Sequence, residues 1–209
     1  MNRDIYYTIE KEGHGLFKDR GSKFLAFAYH VNHEDEVKEY LEALKKEYHD
    51  ARHHCFAFSI GLSVPQERAC DDGEPANSAG KPILNQINAR SLNNVMVVVV
   101  RYFGGILLGV SGLINAYREA SKLALENAKI TGKTIDQIFK IEFDYGQMNV
   151  IMKLIDQYKL KPFEQEFMER CMFKIRVRDS LAEQLMNDME RIEQLSWSKS
   201  SNSYQKLPH

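Results

Sequence analysis

The chain has 209 residues, which is enough for one large domain or for two small domains that each bury a core. With 44% hydrophobic and 27% charged residues it has the composition of a soluble globular protein, and its net charge of −1 excludes a strong overall attraction to nucleic acids or acidic membranes. No stretch has the length of a membrane-spanning helix, and the first residues lack the apolar core of a secretory signal. The cysteines, Cys55, Cys70 and Cys171, are odd in number and far apart, which argues against a disulfide framework and favours a cytoplasmic location.

Apolar periodicity predicts alternating strands and helices in the first part of the chain. Strands are predicted over residues 4–13, 22–31, 51–62 and 94–100, and helices over 33–50, 81–90 and 112–128. The strand 94–100 is apolar on both faces, which is typical of a central strand covered on both sides. Ser111 is the predicted N-cap of the last helix, whose core side is formed by Leu113, Tyr117, Ala120 and Ala124. Turn-forming residues fill 63–80, which predicts a long loop.

After residue 131 a new pattern begins. It predicts a strand over 135–144, a helix over 147–158, strands over 162–169 and 171–178, a helix over 180–191 and a strand over 192–200. The order βαββαβ is that of the split βαβ, or ferredoxin-like, unit. We therefore predict an α+β protein with two domains, 1–131 and 132–209, joined by the glycine-containing segment 131–133.

The junction between the strand 94–100 and the following helix reads VVVVRYFGGILLGVSG. Gly104 and Gly109 have the spacing of a phosphate-binding P-loop, but Val110 stands where the phosphate-binding lysine is required, which argues against a nucleotide triphosphatase. Two alternatives stay open for this junction. Its backbone N–H groups and Arg101 bind an anionic ligand, or the glycines only permit turns and Arg101 pairs with an internal acid.

Three carboxylates follow one another closely at Asp71, Asp72 and Glu74. Such a cluster can bind a divalent cation or supply a general acid and base, although the spacing is not that of an EF-hand. We favour the alternative, a turn in which the carboxylates accept hydrogen bonds from backbone amides and pair with Arg101.

The motif HHC places His53 and His54 on opposite faces of a strand, so the two cannot bind the same metal ion. A catalytic pair of histidine and Cys55 would need an orienting third group, and none can be identified. We expect these residues to serve packing instead.

The blocks DDGEPANSAGKPIL and VVVVRYFGGILLGVSGLINAY closely resemble the signature of the IMPACT/YigZ family, and the resemblance extends over about residues 15–128. It implies a ribosomal-protein-like β-α fold for the first domain. The second resembles the small domain of bacterial YigZ-type members, which is similar to the fifth domain of elongation factor G. The implied function is a translation-related regulatory protein that binds RNA, the ribosome or a translation-factor partner, because eukaryotic relatives act in translational control through a protein partner.

The chain departs from the family pattern at four positions. Asn77 and Ser78 lie in GEPANSAG where the family often reads GEPSGTAG, and Leu107 and Asn115 stand where it often has basic residues. Losing two cations weakens binding to a phosphate backbone, because affinity for nucleic acids scales with the number of neutralised phosphates. The remaining positive charge nearby is carried by Lys81, Arg90, Arg101 and Arg118. A protein or a small molecule is therefore favoured over a nucleic acid as the ligand.

We therefore expect a binding protein rather than an enzyme, with no cofactor and no metal, since no nucleophile–base–orienter set is recognisable. The 71–82 loop and the 101–112 junction form the predicted binding surface, with ligand contacts from Asp71, Asp72, Glu74, Lys81, Arg101, Tyr102, Phe103, Gly104, Gly105 and Gly109. The two aromatic residues would stack on bases or fill a pocket of a partner. The alternative is a metal-dependent hydrolase that uses Asp71, Asp72 and Glu74. The oligomeric state stays open.

Overall fold

The computed structural model describes residues 4–62 and 64–200, which form two compact units. The first unit is Tyr6–Lys133; the second contains Asp4, Ile5 and the described residues from Thr134 onward. The division lies between Lys133 and Thr134, where the sequence predicts it after residue 131, and Asp4 and Ile5 group with the second unit. Among the described residues, no helix is long and apolar enough to cross a membrane.

The first unit is built on a five-stranded antiparallel sheet. This part of the chain contains seven strands and three helices. The strands are β1 (Ile5–Lys11), β2 (Gly13–Asp19), β3 (Ser22–His30), β4 (His53–Ile60), β5 (Gln66–Cys70), β6 (Val95–Tyr102) and β7 (Lys129–Thr134), and the helices are α1 (Glu34–Glu47), α2 (Gly80–Ala89) and α3 (Gly109–Asn127). The strand order is β2-β3-β6-β4-β5, while β1 and β7 form a separate two-stranded sheet. The prediction of a central apolar strand is confirmed by β6.

Alternation along β6 divides its valines between two cores. Val97 and Val99 pack in the core that also contains Tyr117 of α3 and residues of α2, while Val98 and Val100 pack in the core beneath α1. The four residues predicted for the core side of α3 are all buried. Helices therefore cover both faces of the sheet, and the carboxyl end of β6 leads directly to the junction with α3.

Four predictions for this unit were wrong. Strand β2 was missed, and β5 lies in the segment predicted as the loop 63–80, of which Ser63 is outside the described residues. Apolar periodicity does not predict β5, because it is a polar, mostly exposed edge strand without alternation of apolar and polar residues. The segment 131–133 belongs to β7 rather than to a linker, and α3 begins at Gly109 with Leu108 as its N-cap instead of Ser111.

The second unit confirms the βαββαβ pattern. Its elements are β8 (Asp136–Phe143), α4 (Met148–Gln157), β9 (Phe163–Phe167), β10 (Cys171–Arg178), α5 (Asp179–Glu190) and β11 (Ser196–Lys199). The antiparallel sheet has the order β11-β8-β10-β9, with β10 between the two strands that flank α4 in sequence, as in the split βαβ unit. Phe139, Ile141 and Phe173 of this sheet share a core with residues of α4 and α5.

Because each unit has its own core, we expect a cavity in the second to destabilise only the second. Phe139 is fully buried, so Phe139→Ala should lower the stability of this unit by about 3–5 kcal/mol. Hydrogen exchange read by mass spectrometry should show faster exchange in β8 and β10 and unchanged exchange in β3 and β6. Tyr145→Ala, at an exposed aromatic residue, is the control. Equal loss of protection in both units would contradict separate cores.

Candidate functional site

A buried ion pair lies at the carboxyl end of β6. Nη1 of Arg101 donates to Oε1 of Glu74 at 2.6 Å, and the two side chains are only 7% and 4% exposed. The guanidinium lies between two aromatic rings, 5.4 Å from the centroid of Phe24 and 5.6 Å from that of Phe103. The prediction that Arg101 pairs with the acidic loop is confirmed, and Glu74 is the partner.

Two further side chains extend this ion pair into the core. The hydroxyl of Tyr117 donates to the same Glu74 Oε1 at 2.8 Å, and Cys55 Sγ lies 3.3 Å from that hydroxyl and 3.0 Å from the carbonyl oxygen of Asp71. Burial raises the pKa of both Tyr117 and Cys55, so both stay protonated at neutral pH. Cys55 therefore acts as a hydrogen-bond donor here and not as a thiolate nucleophile.

The other two carboxylates of the cluster stabilise the loop itself. Asp71 accepts hydrogen bonds from the backbone N–H groups of Asn77, Ala79 and Gly80 at 2.9, 3.0 and 2.8 Å, which satisfies amides at the start of α2. Asp72 accepts from the N–H of His54 at 2.7 Å. The backbone at Asp72 has a φ of 39°, a left-handed conformation that aspartate tolerates better than most residues.

The three carboxylates consequently point to three different partners. In the part of the chain that the structure describes, no three His, Cys, Asp or Glu side chains are grouped so that they could hold a metal ion. The two histidines lie on opposite faces of β4, as alternation predicts: His53 faces the ion pair, and the buried His54 packs towards α1, where burial lowers its pKa. This geometry matches the turn interpretation and gives the hydrolase alternative no support.

The junction residues do not all belong to one face. Tyr102 follows Arg101 on the strand and so points to the opposite side, where its hydroxyl donates to Asp50 at 2.6 Å and this hydrogen bond raises its pKa to about 12. The N–H of Gly104 donates to Ser22 Oγ at 3.0 Å. A Cβ at Gly104 would lie 1.9 Å from the carbonyl carbon of Gly21, so only glycine fits here.

Gly105 and Gly109 have φ values of 86° and 71°, the left-handed conformation that the turn alternative requires, and their predicted contacts to a ligand stay a prediction. Of the cations predicted nearby, Lys81 is exposed, Arg118 pairs with Glu119, and Arg90 lies 3.7 Å from Glu126. Of these three cations, two therefore lie near a carboxylate.

An exposed apolar surface on the junction was not predicted. We call it the apolar ridge, and it consists of Phe103, Ile106, Leu107, Val110 and Ile114, which are 50%, 58%, 80%, 52% and 39% exposed. The signal was available in the sequence, because ILL directly follows the glycine pair.

Removing one member of the buried ion pair should strongly destabilise the first unit. Arg101→Met leaves Glu74 buried without its counter-charge, so we expect the free energy of unfolding to fall by about 3–5 kcal/mol. Urea denaturation followed by circular dichroism measures this change. Arg118→Met, which removes an arginine that is half exposed, is the control and should change it by less than about 0.5–1 kcal/mol. Equal effects of the two substitutions would contradict a structural role for the buried pair.

Comparison with known proteins gives a consistent result. Residues 20–125 match the family model described as the Impact N-terminal domain. The chain is 36% identical over 148 residues to an IMPACT family member of Haemophilus influenzae, covering 70% of this chain and 72% of that protein. It is 30% identical over 174 residues to the IMPACT family member YvyE of Bacillus subtilis, covering 83% and 80%. A crystal structure described as that of a hypothetical protein is similar with a TM-score of 0.68 and 28% identity, covering 93% of this chain and 96% of that one. The resemblance seen in the sequence is confirmed, and the chain belongs to the IMPACT family.

Proposed function

We propose that this protein is a translation-related regulatory protein, and that it binds a protein component of the translation machinery through the 71–82 loop and the 101–112 junction. Membership of the IMPACT family supports the translation-related role, because the resemblance links that family to translational control. The observation that carries the binding role is the apolar ridge.

Exposed apolar side chains in this number need an explanation. Five large apolar residues of the ridge lie within the segment 103–114, and Leu107 is 80% exposed. Scattered apolar residues are normal on protein surfaces, whereas contiguous patches mark surfaces that are covered by a partner. The ridge therefore favours a partner that buries it.

The base beneath the ridge is rigid. Phe103 lies over the guanidinium of Arg101, which is fixed by Glu74, and Gly104 is fixed against the turn between β2 and β3. A surface that is ordered before binding loses less conformational entropy when the partner arrives. The buried ion pair thus acts as a support for the binding surface rather than as a ligand contact.

The charges on this face favour a protein over RNA. Of the four cations predicted near the junction, Arg101 is buried and paired, Arg90 and Arg118 each lie near a carboxylate, and Lys81 is exposed, while the β2–β3 hairpin adds the exposed cations Lys18, Arg20 and Lys23, which together are few for a phosphate backbone. RNA affinity depends on the number of phosphates that cations neutralise. We therefore propose a protein as the partner, and the experiment below also detects binding to RNA or to the RNA surface of the ribosome.

The test uses the double variant Leu107→Ser/Val110→Ser in the full chain. Because both side chains are exposed, the variant should fold normally, while its association with translation components should weaken at least about tenfold if the ridge is a binding hot spot. Co-sedimentation with ribosomal fractions of a cell extract measures that association, and circular dichroism checks the fold.

The matched control is Val64→Ser/Leu181→Ser, which removes two exposed apolar side chains elsewhere. Its association should be unchanged. Equal sedimentation of the ridge variant and the unmodified chain would refute the proposal. Release of the unmodified chain by ribonuclease, with a steep dependence on salt, would replace the protein partner with RNA.

A further inference from the structure

A cavity of about 420 Å³ adjoins the apolar ridge, lined by Gly21, Lys23, Leu25, Tyr102 and Phe103. Phe103 belongs to both the ridge and the cavity wall. The turn between β2 and β3 is joined to the ridge at two further points, because Gly21 approaches Gly104 and Arg20 donates to the carbonyl oxygen of Leu107 at 3.4 Å. Ridge and cavity therefore form one continuous surface.

The β2–β3 hairpin places like charges beside this cavity. The register pairs Lys18 directly with Lys23, and Lys23 directly with Tyr102, so the two lysines share one face of the sheet. Like charges directly opposite each other in an antiparallel pair are unfavourable. Arg20 is exposed at the turn between them with a φ of 44°. We call Lys18, Arg20 and Lys23 the basic corner.

Among the described residues, no carboxylate forms an ion pair with the basic corner. Asp50 is hydrogen-bonded to Tyr102, and Asp19 pairs in register with Ser22, one position along from the lysine pair and hence on the opposite face. Because the whole chain has a net charge of −1, these three cations without an ion pair form a local concentration of positive charge. The like charges of Lys18 and Lys23 oppose folding, and an acidic ligand would offset them.

We propose that the basic corner binds acidic residues of the same partner segment whose apolar side chains cover the ridge and enter the cavity. The partner is thus a peptide segment in which large apolar residues are accompanied by aspartate or glutamate. This inference rests on the proposed function and names the chemistry of its partner. Complementary charge at the rim of an apolar contact speeds association and selects the partner.

A nucleic acid fits these observations less well. Three cations neutralise few phosphates, and a phosphate backbone offers nothing apolar to cover Ile106, Leu107 and Val110. An acidic and apolar peptide satisfies both the ridge and the corner.

The test selects binders to the purified full chain from a phage-displayed library of random peptides. We expect the enriched peptides to be net negative and to contain large apolar residues. One such peptide, labelled with fluorescein, is then titrated by fluorescence anisotropy. Lys18→Glu/Lys23→Glu should weaken its binding at least about tenfold, Lys18→Gln/Lys23→Gln should weaken it less, and added salt should weaken binding to the unmodified chain.

The control Lys11→Glu/Lys161→Glu changes the total charge equally at two other exposed lysines and should leave the affinity unchanged. Enrichment of neutral or basic peptides, or an affinity that the charge reversal does not alter, would overturn the inference. So would tighter binding of a short single-stranded RNA that is lost in the same variant.

Failure of this inference is distinguishable from failure of the proposed function. If ribosomal co-sedimentation is lost in the ridge variant but kept in Lys18→Glu/Lys23→Glu, the proposed function stands and the acidic partner is wrong. If neither variant changes it, both fail.

Discussion

The ion pair between Glu74 and Arg101 is the interaction on which the arrangement of the first unit depends. Removing two charges from water costs several kcal/mol for each ion, and attraction offsets that cost only when the geometry is good and the remaining polar atoms are bonded. Here Tyr117 donates to the same carboxylate oxygen and the guanidinium lies over the rings of Phe24 and Phe103, while Arg101 Nε is buried without a hydrogen-bond partner among the described residues, so the pair is only partly compensated. One contact thereby ties the acidic loop, the central strand β6 and the helix α3 together.

The rest of the acidic loop follows from this constraint. Once Glu74 is directed into the core, Asp71 is left to accept hydrogen bonds from amides at the start of α2, and Asp72 accepts from β4. A cluster that looks catalytic in the sequence is therefore used for structure. Cys55 lies at the inner end of the same network, where burial keeps its thiol protonated. The three carboxylates and this thiol are thus all engaged in contacts within the fold.

That surface has two features that stability does not explain. The ridge exposes large apolar side chains, and the basic corner sets Lys18 opposite Lys23 without an acid partner among the described residues. Each departs from the local rules that a sequence obeys when it is optimised for folding alone, and such departures are expected at functional sites. Their continuity through Phe103, Gly104 and Arg20 suggests one binding surface rather than two.

The sequence by itself determined the features that depend on short-range periodicity and on local chemistry. These include the central strand β6, the buried side of α3, the βαββαβ order, the opposite faces of His53 and His54, and a partner for Arg101 in the acidic loop. Only the tertiary structure decided which acid pairs with Arg101, because a tight turn can direct any of three neighbouring carboxylates inward. It also decided the pairing of β1 with β7, which joins residues far apart in the chain, and the existence of the polar edge strand β5. The tertiary structure also decided the ridge and the basic corner, since the exposure of a side chain and the register of a hairpin depend on which parts of the chain pack against them.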